Sequence, residues 1–260
     1  MKTRINKKKR IGRVVFIVEG MNEEPKYLNH IFNEILGYKV QVKTRKDKVF
    51  TCYEGYDSNS TVTIINSEDN NLTSIKDANQ FFKYVSDLEM EYGVKLKNSS
   101  TYYIFDRDPK NNKYGLFKNL ASKLSASLNN NTDDINGLLL ISFPSIESLV
   151  LNMTKKDSFL TEFGLGKDLK NEIIKENIDI DKLTEENLLL ACDELGNYLK
   201  NVCNISIDKL SFDDLSKEQI EILEIEQTNY KKKNTFHCIS EIVLALIDLQ
   251  VIELYDDEAC

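Results

Sequence analysis

Two runs of the chain, Val14-Val15-Phe16-Ile17-Val18 and Tyr102-Tyr103-Ile104-Phe105, are built entirely from β-branched and aromatic residues. A strand with one wet face alternates. A strand apolar at every position is buried on both faces, as in a parallel sheet with helices above and below it. Each run ends at once in a carboxylate: Glu19-Gly20 follows the first, and Asp106-Arg107-Asp108 the second. In open α/β sheets, ligands bind just beyond the carboxyl ends of the strands. Glu19, Asp106 and Asp108 are therefore expected at one edge of one sheet, pointing out of it.

What surrounds these runs fits the same frame. After Gly20, Asn22 reads as a helix N-cap, with Glu23, Glu24 and Pro25 in the first turn. Leu28, Ile31, Phe32 and Ile35 continue at helical spacing, and Gly37 stops the helix. Residues 38–44 alternate as a strand, 45–60 read as a polar loop, and 61–65 as a further strand. Ile75, Ala78, Phe81, Val85 and Leu88 mark an amphipathic helix over 75–92. A loop at 109–113, a helix at about 114–128, a strand at 137–142 and a helix from Ile146 follow. The Asn-, Asp- and Ser-rich stretches 57–73 and 129–136 are loops by composition. This alternation predicts an α/β fold, a mostly parallel sheet flanked by helices. From about residue 154 strand signals fade, and 167–177, 185–203, 216–232 and 235–250 read as helices. The expected organisation is a basic arm at 1–13, an α/β domain at 14–153 and an acidic helical region at 154–260.

Charge divides along the same line. Residues 1–153 carry 22 Lys and Arg against 18 Asp and Glu, whereas residues 154–260 carry 12 against 24. The total of −8 would by itself argue against a nucleic-acid partner. The split weakens that objection, because the carboxylate-tipped strands lie in the basic half. Residues 1–13 hold seven basic residues and no acid, which suits either an arm touching phosphates by charge or a solvated tail. No apolar run approaches the roughly 20 residues of a membrane span, and no secretory h-region follows Met1. The five cysteines are odd in number, widely spaced and without a Cys-x-x-Cys pair, as expected of a chain in a reducing cytoplasm. His30 and His237 are too few for a histidine-rich metal site and read as surface or packing residues. Lys231-Lys232-Lys233, followed by Asn234, reads as a favourable helix end, with contact to nucleic acid as the alternative.

Three hard oxygen ligands at a sheet edge suit Mg²⁺, with Mn²⁺ as an alternative, and phosphate chemistry. Asp106 and Asp108, two apart on an extended segment, face the same way and can reach one ion. Glu19, from a neighbouring strand end, would close the site as a third ligand or as a general base for water. Lys26, Arg107 and Lys110 are placed to neutralise phosphate charge nearby. Glu147, which starts a helix just after a strand end, is a further candidate ligand. Glu24 is a secondary candidate that also complements the helix dipole, and Tyr27 reads as core.

With these motifs in place, the chain resembles the TOPRIM domains of topoisomerases, bacterial primases and overcoming-lysogenisation-defect nucleases. There a strand ending in Glu-Gly, a helix, and a later strand ending in Asp-x-Asp form a Mg²⁺ site. The finer resemblance is to the RloB-like branch. Its Glu-Gly-x-x-x-Glu-Pro-x-Tyr string is here Glu19-Gly20-Met21-Asn22-Glu23-Glu24-Pro25-Lys26-Tyr27, and its Asp-Arg-Asp string is Asp106-Arg107-Asp108. Its Pro-x-x-Glu step is Pro144-Ser145-Ile146-Glu147, where the branch has Asn-Pro and a nearby Trp that this chain lacks. The resemblance spans about residues 12–153. It implies a metal-dependent nuclease acting on RNA, tRNA or DNA in a bacterial anti-phage system, with Glu19 catalytic and Asp106 and Asp108 as ligands. Such effectors are often paired with an ATPase, and since the chain has no Gly-x-x-x-x-Gly-Lys-Ser/Thr loop of its own, any ATP-driven step would need such a partner; the resemblance also implies a homo-oligomer or a hetero-complex. The competing expectation is a non-catalytic subunit whose TOPRIM fold serves assembly with an ATPase or sensor.

Overall fold

The computed structural model describes the chain except for residues 1, 21, 46–47, 58, 67–74, 76, 110–113, 129–136 and 256–260. Lys110, Cys260, the expected loop at 129–136, residues 58 and 67–73 of that at 57–73 and residues 110–113 of that at 109–113 lie outside the described residues.

In chain order, the first half contains β1 (Lys2–Ile5), β2 (Arg13–Val18), α1 (Glu23–Asn29), β3 (Lys39–Arg45), β4 (Lys48–Glu54) and β5 (Thr61–Asn66). Then come α2 (Ala78–Tyr92), β6 (Ser100–Asp106), α3 (Tyr114–Ala121), β7 (Ser125–Ala126), β8 (Gly137–Phe143) and α4 (Glu147–Thr154). The remainder forms β9 (Glu162–Phe163), α5 (Gly166–Lys175), α6 (Glu185–Asn201), α7 (Ser216–Lys233), β10 (Phe236–His237), β11 (Ile239–Ser240), α8 (Ile242–Asp248) and β12 (Ile252–Tyr255).

The architecture is α/β, with a mixed, mostly parallel central sheet flanked by helices. Its strand order is β11-β8-β6-β2-β5-β4-β3. β5, β2, β6 and β8 are mutually parallel, and the outer strands are antiparallel. From β2 the chain moves to one side, through β3 and β4 to β5, and then crosses back to β6 on the other. The strand order therefore reverses between β2 and β6, the position at which open α/β sheets leave a crevice.

Period-two alternation assigns the helices to their faces. Tyr102 stacks on Phe16 with ring centroids 5.1 Å apart, and Phe16 meets Phe32, just past α1, at 5.6 Å. Tyr103 and Phe105 point the other way, meeting Phe81 of α2 at 5.3 and 6.0 Å, and Phe105 stacks on Phe117 of α3 at 5.9 Å. Such ring pairs contribute roughly 0.5–1.5 kcal/mol each beyond their buried area. All seven residues of β8 are buried, as their unbroken apolar character requires.

Several local expectations are corrected by tertiary pairing. Residues 48–54 are not loop but strand β4, which pairs with both β3 and β5. The expected helix at 235–250 is two short strands followed by α8, because Ile239 and Ser240 complete the edge of the sheet beside β8. α3 stops at Ala121, and Ser125–Ala126 turn back along β8. α1 passes at His30–Ile35 into a π-helical turn, and Asn22 makes no side-chain capping bond. The basic arm is tied at residues 2–5, where β1 pairs antiparallel with β12.

One hydrophobic cluster runs from Ile11 to Ile252, with α6 packed on α4 and α7 on α3. The apolar core is thus shared across the expected boundary near residue 153. No helix of the described residues is long and apolar enough to cross a membrane.

Candidate functional site

Three parallel strands end together at the crevice. Val18 of β2 is level with Ile104 of β6, and Asp106 is level with Ser142 of β8. Glu19 therefore emerges beside Asp106, whose amide donates to Glu19 Oε2 at 3.4 Å. On the other side, β8 leads through Pro144 into α4, and the amide of Ile146 donates to Asp106 Oδ1 at 2.7 Å. The positive end of α4 thus faces the Asp106 carboxylate. Glu147, the next residue, is buried and accepts from Ser145 Oγ at 2.6 Å. Glu24, buried on α1, accepts the Gly20 amide at 3.1 Å.

These carboxylates repel one another in a poorly solvated place. Burial, then Glu24, Glu147 and Glu19, hold the Asp106 carboxyl well above the usual range, against the opposing Ile146 hydrogen bond. Glu24 is raised in the same direction, mainly by burial, with Glu147 and Glu23 adding to it and backbone hydrogen bonds opposing. Lys170 of α5 reaches in from the C-terminal half, its Nζ 2.9 Å from Glu147 Oε1 and 3.7 Å from Glu23 Oε1. Partial burial works against its charge, but Glu147, Glu23 and Asp106 outweigh it and the ammonium is held more firmly than usual. Tyr27 is core, as expected. Burial foremost, with Glu147 and Glu23, pushes its phenol far up, so it keeps its proton.

The other candidates have different surroundings. Asp108 is half-buried just past β6, and its charge bears on Arg107. Arg107, expected to meet phosphate, is only 4% exposed. Its guanidinium donates to Gln227 Oε1 of α7 at 2.7 Å and lies 5.5 Å from the Phe236 ring centre. It ties the exit of β6 to the C-terminal half and is withdrawn from solvent. Lys26 is exposed on α1, where its charge acts on Asp179. His30 is buried and bonds the Leu183 carbonyl at 2.9 Å. Lys231, Lys232 and Lys233 form the last turn of α7, which Asn234 closes in the left-handed region. Cys192, Cys203 and Cys238 are buried thiols pushed up to about 12, which suits packing and not catalysis.

Two features go beyond the motifs. Lys170 comes from a helix with no local sign of its role, since only the tertiary fold brings α5 to the end of β8. Gly20 has a steric reason to be glycine: a Cβ there would stand 2.4 Å from Glu24 Oε2. The Glu-Gly pair and the later glutamate are thus one device, the carboxylate folding back over a bare Cα to take its amide. Gly20→Ala is expected to expel Glu24 from this position and cost about 1–3 kcal/mol through the amide left unpaired. Thermal unfolding of the variant measures the cost.

Among the described residues, no three His, Cys, Asp or Glu side chains are disposed as they stand to hold one metal ion. Glu147 is engaged by Lys170 and Ser145, and Glu24 by Gly20. The donors are all oxygens, and their mutual repulsion is of the kind a hard divalent cation relieves. By donor chemistry the cluster suits such an ion, and side-chain rotation would have to complete the set. Compared with known proteins, the chain matches no family model, no curated protein and no solved structure.

Proposed function

We propose that this protein is a Mg²⁺-dependent nuclease with a TOPRIM-like α/β fold, cleaving phosphodiester bonds in RNA, tRNA or DNA as an effector of bacterial anti-phage defence. The observation that carries the reading is the convergence of Glu19, Asp106 and Glu147 at the ends of three adjacent parallel strands, where the strand order reverses. Glu19, Asp106 and Asp108 would hold the ion, with Glu147 as a further ligand. When bound, it would neutralise non-bridging phosphate oxygens and lower the pKa of an attacking water. The chain's own groups supply the rest. The α4 N-terminus steadies Asp106 as an anion through the Ile146 amide. Glu19 holds position against the Asp106 amide and is the candidate acceptor of the water proton. Lys170, rather than the buried Arg107, is the cation set against the crevice to meet phosphate charge.

Lys170→Gln is expected to change stability by less than about 1 kcal/mol, because the ammonium is half exposed. It should also strengthen Mg²⁺ binding by removing a cation that shares Glu147, an effect read as a larger Mg²⁺-induced rise in melting temperature.

The test of the proposed reaction is a panel of total tRNA, single-stranded RNA, single-stranded DNA and plasmid, with Mg²⁺, Mn²⁺ or EDTA, for wild type and Glu19→Gln. Metal-dependent cleavage by wild type alone is expected. The second reading, a non-catalytic subunit, is favoured by the ion pair that Lys170 already makes with Glu147. It predicts no cleavage of any substrate, alone or with a co-purifying ATPase.

A further inference from the structure

The β3–β4 ribbon departs from the rest of the sheet. β3 is its edge strand, and residues 39–43 are exposed on both faces, with Val40 and Val42 at 42% and 68%. Among the described residues, no helix layer covers it there. Residues 39–48 contain five basic residues and one acid in a chain whose net charge is −8. The distribution along the ribbon is also uneven. At its base Lys39 stands opposite Glu54, whereas farther out Lys43 pairs with Phe50 and Arg45 with Lys48, so no acid occupies the distal paired positions.

Register places that distal end. Ile64 of β5 is level with Thr51 of β4 and with Phe16 of β2, and Phe16 is level with Tyr102 of β6. Continuing three residues towards the carboxyl edge, the Arg45–Lys48 pair comes level with Glu19 and Phe105. The ribbon's basic end therefore projects at the edge that carries the carboxylates. β3 lies three strands from β2, roughly 14 Å at about 4.8 Å per strand. That distance is spanned by about four nucleotides of a stacked strand at about 3.4 Å each.

We infer that the distal β3–β4 ribbon, where the strand register places Lys43, Arg45 and Lys48, is a nucleic-acid docking element for the phosphate backbone of the substrate, a few nucleotides from the carboxylate crevice. The inference rests on the proposed reading of the crevice as a nuclease site and adds where its substrate is gripped. Contacts of this kind are to phosphate and carry no base sequence, so binding depends steeply on salt and weakly on sequence.

The test reads binding on full-length Asp106→Asn protein, by fluorescence anisotropy with labelled single-stranded RNA, single-stranded DNA and duplexes across salt concentrations. Lys43→Ala/Arg45→Ala/Lys48→Ala should weaken binding to every probe and reduce the log–log salt slope by about 2 for a single strand. Lys43→Ala alone, at an exposed edge position, should reduce it by about 0.7 and covers the case in which the triple variant misfolds. Lys217→Ala/Lys231→Ala/Lys232→Ala, an equal loss of positive charge elsewhere, should leave the slope unchanged. Equal binding by the ribbon variants and their parent would overturn the inference. So would an equal loss in the control triple, or no binding by the parent. Because the readout is binding, failure of wild type to cleave anything would count against the proposed reaction and leave the ribbon's role standing.

Discussion

Asp106→Asn is expected to abolish cleavage while raising the melting temperature of the metal-free protein. On the proposed reaction the activity loss should be about a thousandfold, since Asp106 would be one of the groups holding the ion. The stability gain follows from the same electrostatics. Asp106 sits among Glu24, Glu147 and Glu19, and burial with their repulsion raises its carboxyl well above the usual range. A group whose folded pKa is raised is protonated more readily in the fold than in the unfolded chain. Its contribution is thus fully present below the unfolded value of about 4 and is lost as pH rises through the folded one. Above the unfolded value a carboxyl shifted in this direction burdens the fold, and asparagine keeps the Oδ1 acceptor for the Ile146 amide without a titrating group. A gain of about 1–2 kcal/mol, a common size for a single substitution, corresponds to about 2–4 °C per kcal/mol in a chain of this size. The difference from wild type should grow as pH is raised from 4 towards 8. Added Mg²⁺ should raise the melting temperature of wild type and not that of the variant. Scanning calorimetry at several pH values checks both signs, and a variant less stable than wild type at pH 7 would contradict the crowding of charge.

The largest loss of stability is expected outside the carboxylate cluster, at Glu226. This glutamate is wholly buried in α7 and accepts the Tyr198 hydroxyl at 2.6 Å, the His237 amide at 2.9 Å and His237 Nδ1 at 2.7 Å. Glu226→Ala strands all of these donors in the interior. Breaking a buried ionic pair by removing one partner costs about 3–5 kcal/mol. The melting temperature should therefore fall by about 6–20 °C. The pH dependence has the opposite origin to that at Asp106. Burial disfavours the imidazolium of His237, but the hydrogen bond and charge of Glu226, with Glu162 beyond, outweigh it and the pKa is raised. The stabilisation by this pair is fully present below the unfolded value of about 6.5 and fades as pH rises through the folded one. The gap between wild type and Glu226→Ala should be wider at pH 6 than at pH 9. Equal gaps at both would mean that the pair is not ionic.

The parallel core was legible because its strands, buried on both faces, must be apolar at every position, and the α/β class follows from that. The side-by-side placement of Glu19 and Asp106 followed from strands that end abruptly in acids. The outer strands were harder to see for the converse reason. β4 reads Lys-Val-Phe-Thr-Cys-Tyr-Glu, half wet and flanked by charge, and it is a strand because β5 and β3 offer it partners. The stretch from Phe236 to Ser240 has the apolar content of a helix start, yet the open edge of β8 takes up Ile239 and Ser240 as a strand. Lys170 left no mark in the chain, since a lysine on an amphipathic helix is ordinarily a solvated residue and only packing aims it at Glu147. Arg107 misleads in the opposite sense. Between two acids it looks like a phosphate ligand, but the strand exit turns it towards Gln227 and Phe236.

The central claim is that carboxylates gathered at the ends of β2, β6 and β8 form a divalent-cation site. Calorimetric titration of Mg²⁺ into full-length protein at pH 7.5, beside Asp106→Asn, measures this directly. Saturable binding by wild type that disappears in the variant is the predicted result. Equal binding by both proteins, or none by wild type, would contradict it.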